Sequence, residues 1–280
     1  MAGSKLQHVV VRIIVYLVAL VICAFSLGPV IWGISTSFKS DTQIFQLPPH
    51  LFPRPGTLEN YVKVLTDSSM VRYFLNSTVV AFGSVVISLV IGVLAAYGFS
   101  RYRFPGAKTL LATILFTRVL PRVTVIVPFF IILRNLGLIN TYPGLILIYL
   151  VVVMPVSVWL LKGFFDKLPY EIEEAAVVDG CSPLRLLTSI ILPLSGPAVA
   201  AVGMYTFILA WNEFLFALLV TTTKATRTIS VGLAFFIDDA GVHWGQLMAA
   251  SILMSIPAVV IFTLSQGLLV KGLSEGAVKG

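Results

Sequence analysis

Charge is scarce in this chain. Charged side chains make up 11% of its 280 residues, against 58% hydrophobic ones. A mean hydropathy of +0.99 excludes an ordinary soluble protein and makes a membrane the first solvent to consider. Cysteine is nearly absent: the two present, Cys23 in an apolar run and Cys181 in a loop, are not placed to pair and carry no redox signal. The three histidines, His8, His50 and His243, are scattered without the i, i+4 spacing of a helical metal site. No G-x-S-x-G elbow is present, which disfavours an intramembrane hydrolase. No G-x-x-x-x-G-K-[ST] loop is present either, so the chain should bind no ATP phosphates itself. Internal repeats and low-complexity linkers are also missing. So is the ten-residue alternation of a barrel.

What the sequence has in abundance is long apolar runs. Crossing about 30 Å of hydrocarbon takes roughly 20 residues, and six stretches qualify: about Ile13–Ile34, Leu75–Phe99, Thr109–Leu133, Tyr142–Leu161, Gly196–Val220 and Leu247–Val270. Spanning segments must satisfy their own backbone hydrogen bonds, so the expectation is an all-α integral membrane protein with six transmembrane helices. Lys5 and Arg12 before the first run resemble the start of a signal peptide. That run, at about 22 residues, is too long for an h-region and no small-residue cleavage site ends it, so it is expected to stay in the protein.

The net charge of +7 does not require nucleic acid, because basic residues flank spans and orient them. With the amino terminus inside, Lys5, Arg12, Arg101, Arg103, Lys108, Lys162, Lys167, Arg185, Lys271 and Lys279 are cytoplasmic. Lys39, Arg54, Lys63, Arg72, Arg134, Lys224 and Arg227 then lie opposite. The bias is small. The loop Ser100–Lys108 decides it, with three basic residues and no acid, and both termini fall inside.

Against this background the acids crowd together. Asp166, Glu171, Glu173, Glu174 and Asp179 are five of the twelve acidic residues in the chain. They sit between the fourth and fifth spans, on the inner side. Pro169 suits the first turn of a helix, and Glu171, Glu173 and Glu174 suit its positive end. Gly180 provides the left-handed stop. Ser182 is an N-cap type and Pro183 a first-turn residue of a second helix. Each helix is too short to span, at about 16 Å or less. The expected result is a helix–turn–helix on the membrane surface, closed by Leu192-Pro193. The small Ala175 and Ala176 would let another surface approach, with Glu174 reaching a cationic partner. An acidic helix is poorly suited to resting on an anionic leaflet, which favours protein docking.

Glu174-Ala175-Ala176, then Gly180, then Ile190-Ile191-Leu192-Pro193 resembles the EAA motif of ABC importer permeases. PPHLFPRPGTLENYVKVL, AYGFSRYRFPG, AWNEFLFALLV and GLSEGAVKG are similar to carbohydrate permeases, and the resemblance covers nearly the whole chain. It implies the type I ABC importer permease fold, with a cytoplasmic coupling helix at about Pro169–Asp179. It divides the chain into residues 1–70 (first span and outer loop), 71–270 (the transmembrane domain) and 271–280 (a cytoplasmic tail). ATPase-coupling positions would be Glu174, Ala175, Ala176, Asp179, Gly180, Ile190, Leu192 and Pro193. The implied partners are a second homologous permease, two ATPase subunits holding Mg-ATP, an extracytoplasmic sugar-binding protein and membrane lipid. No cofactor would be bound by this chain. The implied location is the inner membrane of a bacterium or archaeon.

Arg118 and Arg122 interrupt the third span. At i, i+4 they should share one helix face, around a kink at Pro121 and a second at Pro128. Charges at mid-bilayer cost at least about 2.5 kcal/mol each on insertion scales, so they rarely face lipid. Glu213 is the one acid inside a span. Its depth makes pairing with Arg118 doubtful and with Arg122 feasible. Arg118, Arg122, Asn212 and Glu213 are therefore candidates for the translocation path, with ion pairing and packing the competing role. If they line the path, neutral or anionic sugars should be favoured over cations. Trp211, Phe214 and Phe216 read as interfacial belt residues rather than a sugar platform. The sequon at Asn76 reads as accidental, and Gly241/Gly245 and Gly272/Gly276 are assigned no role. A secondary, ion-coupled transporter is the alternative function: it would explain the interrupted, charged spans but not the EAA segment.

Overall fold

The long apolar runs wind into helices, as the need to satisfy backbone groups internally dictates. The computed structural model describes residues 2–239 and 241–277. In chain order the elements are α1 (Ala2–Ser37), α2 (Asp41–Ile44), α3 (Glu59–Thr66), α4 (Ser68–Arg101), α5 (Ala107–Phe116), α6 (Arg122–Asn135), α7 (Tyr142–Phe165), α8 (Tyr170–Val178) and α9 (Pro183–Leu186). A π-helical turn at Leu187–Ile191 leads into α10 (Leu192–Leu194), α11 (Gly196–Trp211), α12 (Leu215–Val220) and α13 (Ile229–Leu233). A two-residue hairpin, β1 (Ile237–Asp238) with β2 (Gly241–Val242), precedes α14 (Trp244–Ala277). Lys279, the last three residues of GLSEGAVKG and of the expected tail, the side chains of Lys5 and Lys271, and the surroundings of Gly272 and Gly276 lie outside the described residues.

Among the described residues four helices are long and apolar enough to cross a membrane, at Val10–Ser37, Ser68–Arg101, Tyr142–Phe165 and Trp244–Gly267. A further crossing is available to Pro183–Leu194 and Gly196–Trp211, which meet at 81°. The third and fifth expected spans are thus not single helices. At the third, Pro121 does more than kink: α5 ends at Phe116, and α6 begins only at Arg122 with Pro121 as its N-cap. Arg118 and Arg122 therefore do not share a helix face, because the residues between them are not helical. A missing proline donor beside two charges that cannot be left in an apolar stack ends the helix there. In the fifth, α11 stops at Trp211 and α12 starts after Glu213.

The chain forms two compact units: one from the chain up to Ser68 with Phe235–Leu253, the other from Ser69–Ala234 with the chain from Met254 onward. In the first unit, Asn60 ties the end of α1 to the following loop. It is buried, and its amide donates to the carbonyls of Ser37 (3.0 Å) and Lys39 (2.8 Å). Lys39 Nζ donates to the His50 carbonyl at 2.5 Å and lies 4.5 Å from the centre of the Trp32 ring. Burial holds this ammonium below its ordinary pKa. Gly245, assigned no role from sequence, sits against Asn60. A Cβ there would lie 2.6 Å from the amide, so a side chain would force Asn60 out of its place.

In the second unit α7 is central. Leu145, Ile148, Tyr149, Val153, Val158, Leu161 and Phe165 are all buried. α4 turns a stripe of small residues inward (Ser77, Ala81, Ser84, Ser88, Gly92 and Ala96), and that stripe allows close approach. A chain of hydroxyls links Ser88, Ser157 and Thr206 across α4, α7 and α11 at 2.8 and 3.1 Å. Asn76 of the sequon is also buried. It donates to the carbonyls of Ala225 and Arg227 and accepts from the Tyr142 hydroxyl, so its role is structural. Trp211 and Phe216 belong to neither an interfacial belt nor a sugar platform. Trp211 is buried, stacks on Phe207 and donates to the Met254 carbonyl; Phe216 is buried too.

Candidate functional site

The acid-rich segment forms the surface helix–turn–helix. Pro169 stands one residue earlier than expected, as the N-cap of α8 rather than inside its first turn. Gly180 ends the turn with φ of +81°, the left-handed conformation its lack of a Cβ permits. Ser182 caps α9 by accepting from the Arg185 amide, and Pro183 follows at the first position. Pro193 has no N–H to return to the preceding turn, and the backbone widens there into the π turn. The sharp bend at Ser195 then separates this segment from α11.

The motif residues divide between two faces. Glu174, Ala175, Asp179, Gly180 and Pro193 are exposed. Ala176 is not: it packs with Val93, Leu161, Phe165, Leu186, Leu187 and Ile191. Its small size lets α8 lie close to its own protein, so of the two alanines expected to receive another surface Ala176 is taken up internally and only Ala175 is exposed. Ile190 and Leu192 pack against the same cluster. The outward face of the segment carries apolar residues that sequence reasoning passed over. Val177, Val178 and Leu184 are 62%, 86% and 65% exposed.

Glu173 was also missed. It turns inward beside Glu174, is buried, and meets Arg101 at the end of α4: Arg101 Nε donates to its Oε1 at 2.5 Å, and the Tyr97 hydroxyl to its Oε2 at 3.0 Å. Arg101 also donates to the Leu168 carbonyl at 3.2 Å and lies 4.4 Å from the Tyr170 ring centre. Nearby, Asp166 accepts from Ser100 (2.7 Å) and Lys162 (2.6 Å). Partial burial opposes its ionisation, but the hydrogen bonds from Lys162 and Ser100 outweigh that and hold its carboxyl below the usual value. The spacing Glu173 to Ala176, three residues on a helix, is the one signal that could have marked Glu173 as inward-facing.

The second constellation joins the two helix breaks. Arg122, opening α6, donates to Glu213 Oε2 at 3.0 Å. Glu213 is 2% exposed, and its Oε1 accepts from the Phe216 amide in the first turn of α12. Its carbonyl, released where α11 ends, accepts from the Tyr149 and Ser230 hydroxyls. Arg118 forms no salt bridge among the described residues. With Thr117, Arg122, Val152 and Phe216 it lines a small cavity of about 60 Å³. The feasible pairing with Arg122 is therefore realised and the doubtful one with Arg118 is not. Asn212 is exposed and bonds back to the Ile208 carbonyl of its own helix. No cluster of metal-ligating side chains occurs among the described residues.

Residues 88–275 match the family described as binding-protein-dependent transport system inner membrane component. The trehalose/maltose transport system permease protein MalG of Thermococcus litoralis is 39% identical over 280 residues, covering 98% of this chain and 99% of that protein. The sulfoquinovosyl glycerol transport system permease protein SmoH of Agrobacterium fabrum is 33% identical, covering 95% of this chain and 93% of that one. Among solved structures, a bacterial ABC transporter involved in the import of the acidic polysaccharide alginate superposes with a TM-score of 0.79 at 23% identity. That match covers 93% of this chain and 97% of the other.

Proposed function

The chain belongs to the family of binding-protein-dependent transport system inner membrane components, with the type I ABC importer permease fold, and on that premise we propose that its solute is a sugar or oligosaccharide. In this reading it forms half of the translocation path. A second homologous permease forms the other half, two ATPase subunits holding Mg-ATP drive it, and an extracytoplasmic sugar-binding protein delivers the solute. The chain lies in the inner membrane with both termini and the surface helices on the cytoplasmic side.

One observation carries the coupling assignment. A segment of a membrane protein displays Glu174, Ala175, Val177, Val178 and Leu184 outward around the tight turn at Gly180. A small residue, an acid and three aliphatic side chains make a compact face for a protein cleft, and the acid disfavours contact with anionic lipid. Asp179 and Pro193 flank that face, while Ala176, Ile190 and Leu192 hold it in place from beneath. Arg118 and its cavity belong to the path. Arg122 and Glu213 hold its wall together. The ion-coupled alternative is disfavoured, because the family to which the chain belongs is one of binding-protein-dependent transport components.

The test is reconstitution of the chain with its partner permease, ATPase and binding protein, with uptake measured for candidate sugars. Glu174→Lys should abolish ATP-driven uptake while leaving the chain inserted at normal levels. Near-normal uptake in that variant would show that the outward face is not the docking site.

A further inference from the structure

A polar linkage outside the outward face joins α8 to α4. Glu173 and Arg101 have side chains only 11% and 5% exposed. Two donors, from Arg101 and Tyr97, converge on the Glu173 carboxylate. Arg101 reaches past Glu173 to the Leu168 carbonyl just before α8 and covers the ring of Tyr170, the first residue of α8. Tyr170 returns the contact by donating to the Ser100 carbonyl at 3.3 Å. The last turn of one long helix is thereby fixed to the first turn of a short surface helix from several directions.

Stability alone explains this poorly. A buried ion pair contributes little net stability over an apolar pair of the same shape, because both charges must be desolvated. What it adds is directional rigidity, since the planar guanidinium fork admits one arrangement of its acceptors. The apolar cluster under Ala176 already holds α8 down; the polar linkage fixes how α8 is oriented against α4. With 34 residues, α4 is about 51 Å long, so a small rotation at its end becomes a large displacement along it.

We propose that Arg101 and Glu173, with Tyr97, are positioning residues that make α4 move as one body with α8. A displacement imposed on the outward face is then delivered to α4, and the paired charges prevent α8 from rocking on its apolar bed instead. The proposal rests on the docking reading of α8. It assigns the neighbouring acids different duties: Glu174 meets the ATPase, and Glu173 passes its motion on.

The test uses the full complex of both permeases, ATPase and binding protein. Glu173→Gln and Arg101→Lys should assemble and hydrolyse ATP at near wild-type rates. Solute moved per ATP should fall about tenfold, the loss of a coupling free energy of ordinary size. Tyr97→Phe, which keeps the ring packing and removes one donor, should lie between these variants and wild type. Exchanging the charges (Arg101→Glu with Glu173→Arg) should restore part of the ratio. If assembly, hydrolysis and uptake fall in parallel with the ratio unchanged, the pair is merely structural and the proposal is overturned. Glu174→Lys keeps the two readings apart, since it should lower the hydrolysis that the binding protein stimulates. If Glu174→Lys changes nothing, the docking reading fails. If it behaves as expected while Arg101→Lys keeps the full ratio, the linkage alone fails. Where a variant assembles poorly, spin labels on exposed Glu171 of α8 and Val90 of α4, both outside the docking face, in a background lacking Cys23 and Cys181, give a second readout in otherwise wild-type protein. Their separation should stay constant between nucleotide states, and a change of several ångströms would refute a rigid linkage.

Discussion

Glu213 offers a sharp quantitative test, because one buried carboxylate serves two helix breaks at once. Replacing it with Gln keeps an acceptor for the Phe216 amide, 3.1 Å away, but removes the charge facing Arg122 at 3.0 Å. Breaking a fully buried pair costs about 3–5 kcal/mol, mostly because the survivor is stranded. Arg122 is 45% exposed and can turn toward water, so the expected loss for Glu213→Gln is smaller, about 1–2 kcal/mol. Glu213→Ala also strands the Phe216 amide in a buried setting and leaves a void, raising the loss to about 2–4 kcal/mol. Arg122→Gln should resemble Glu213→Gln or exceed it, since it leaves the 2%-exposed carboxylate without its cation.

The assay is thermal unfolding of the purified, assembled complex, read as the order of midpoints across the series. Wild type should be highest and Glu213→Ala lowest. The double variant Arg122→Gln with Glu213→Gln should lie well above the sum of the two single effects, because neither charge is then stranded. Strict additivity, or midpoints for both Gln variants within error of wild type, would show that the pair does not hold the two breaks together.

Other consequences are narrower. Gly245→Ala should destabilise the first unit by about 1–3 kcal/mol through overpacking against Asn60, and Asn60→Ala in the same chain should relieve the clash in part; limited proteolysis of the loop after α1 reports both. The Asp166 carboxyl has a folded pKa below its ordinary value of 3.8, so its contribution is complete above that value and lost as pH falls through the lower folded one; the stabilities of wild type and Asp166→Asn should converge in acid. Arg118→Gln should leave the midpoint unchanged while altering uptake or the preference between neutral and anionic sugars, and a cysteine at this position should react with water-soluble reagents in at least one nucleotide state. Lack of reaction in every state, with uptake unchanged, removes Arg118 from the path.

Most of the architecture was legible because membrane helices obey a simple rule: apolar length and satisfied backbones leave little choice. The surface helix–turn–helix was legible as well, since Pro169, Gly180, Ser182 and Pro183 are local signals that act through backbone geometry alone. The break at Pro121 was only half legible. Proline within a long apolar run supports either a kink or a full stop, and the outcome depends on what receives the freed groups. Here Arg122 finds Glu213 on another interrupted helix, 91 residues along the chain, and no local pattern contains that partner.

The division of labour between Glu173 and Glu174 was illegible for a related reason. Adjacent acids on a helix point about 100° apart, so one faced the protein and the other could not. Which one turned inward depended on where Arg101 and Tyr97 stood at the end of α4, some seventy residues earlier. The same geometry separates Ala175 from Ala176. A motif that reads as one continuous signature is therefore two interleaved faces: the inward residues, Glu173 and Ala176, fix the helix to its own protein, and the outward ones, Glu174 and Ala175, remain free for another. An exposed face can transmit force only if its opposite side is anchored. On the proposed docking role, the inward residues of the segment are in that sense as much a part of its function as the outward ones.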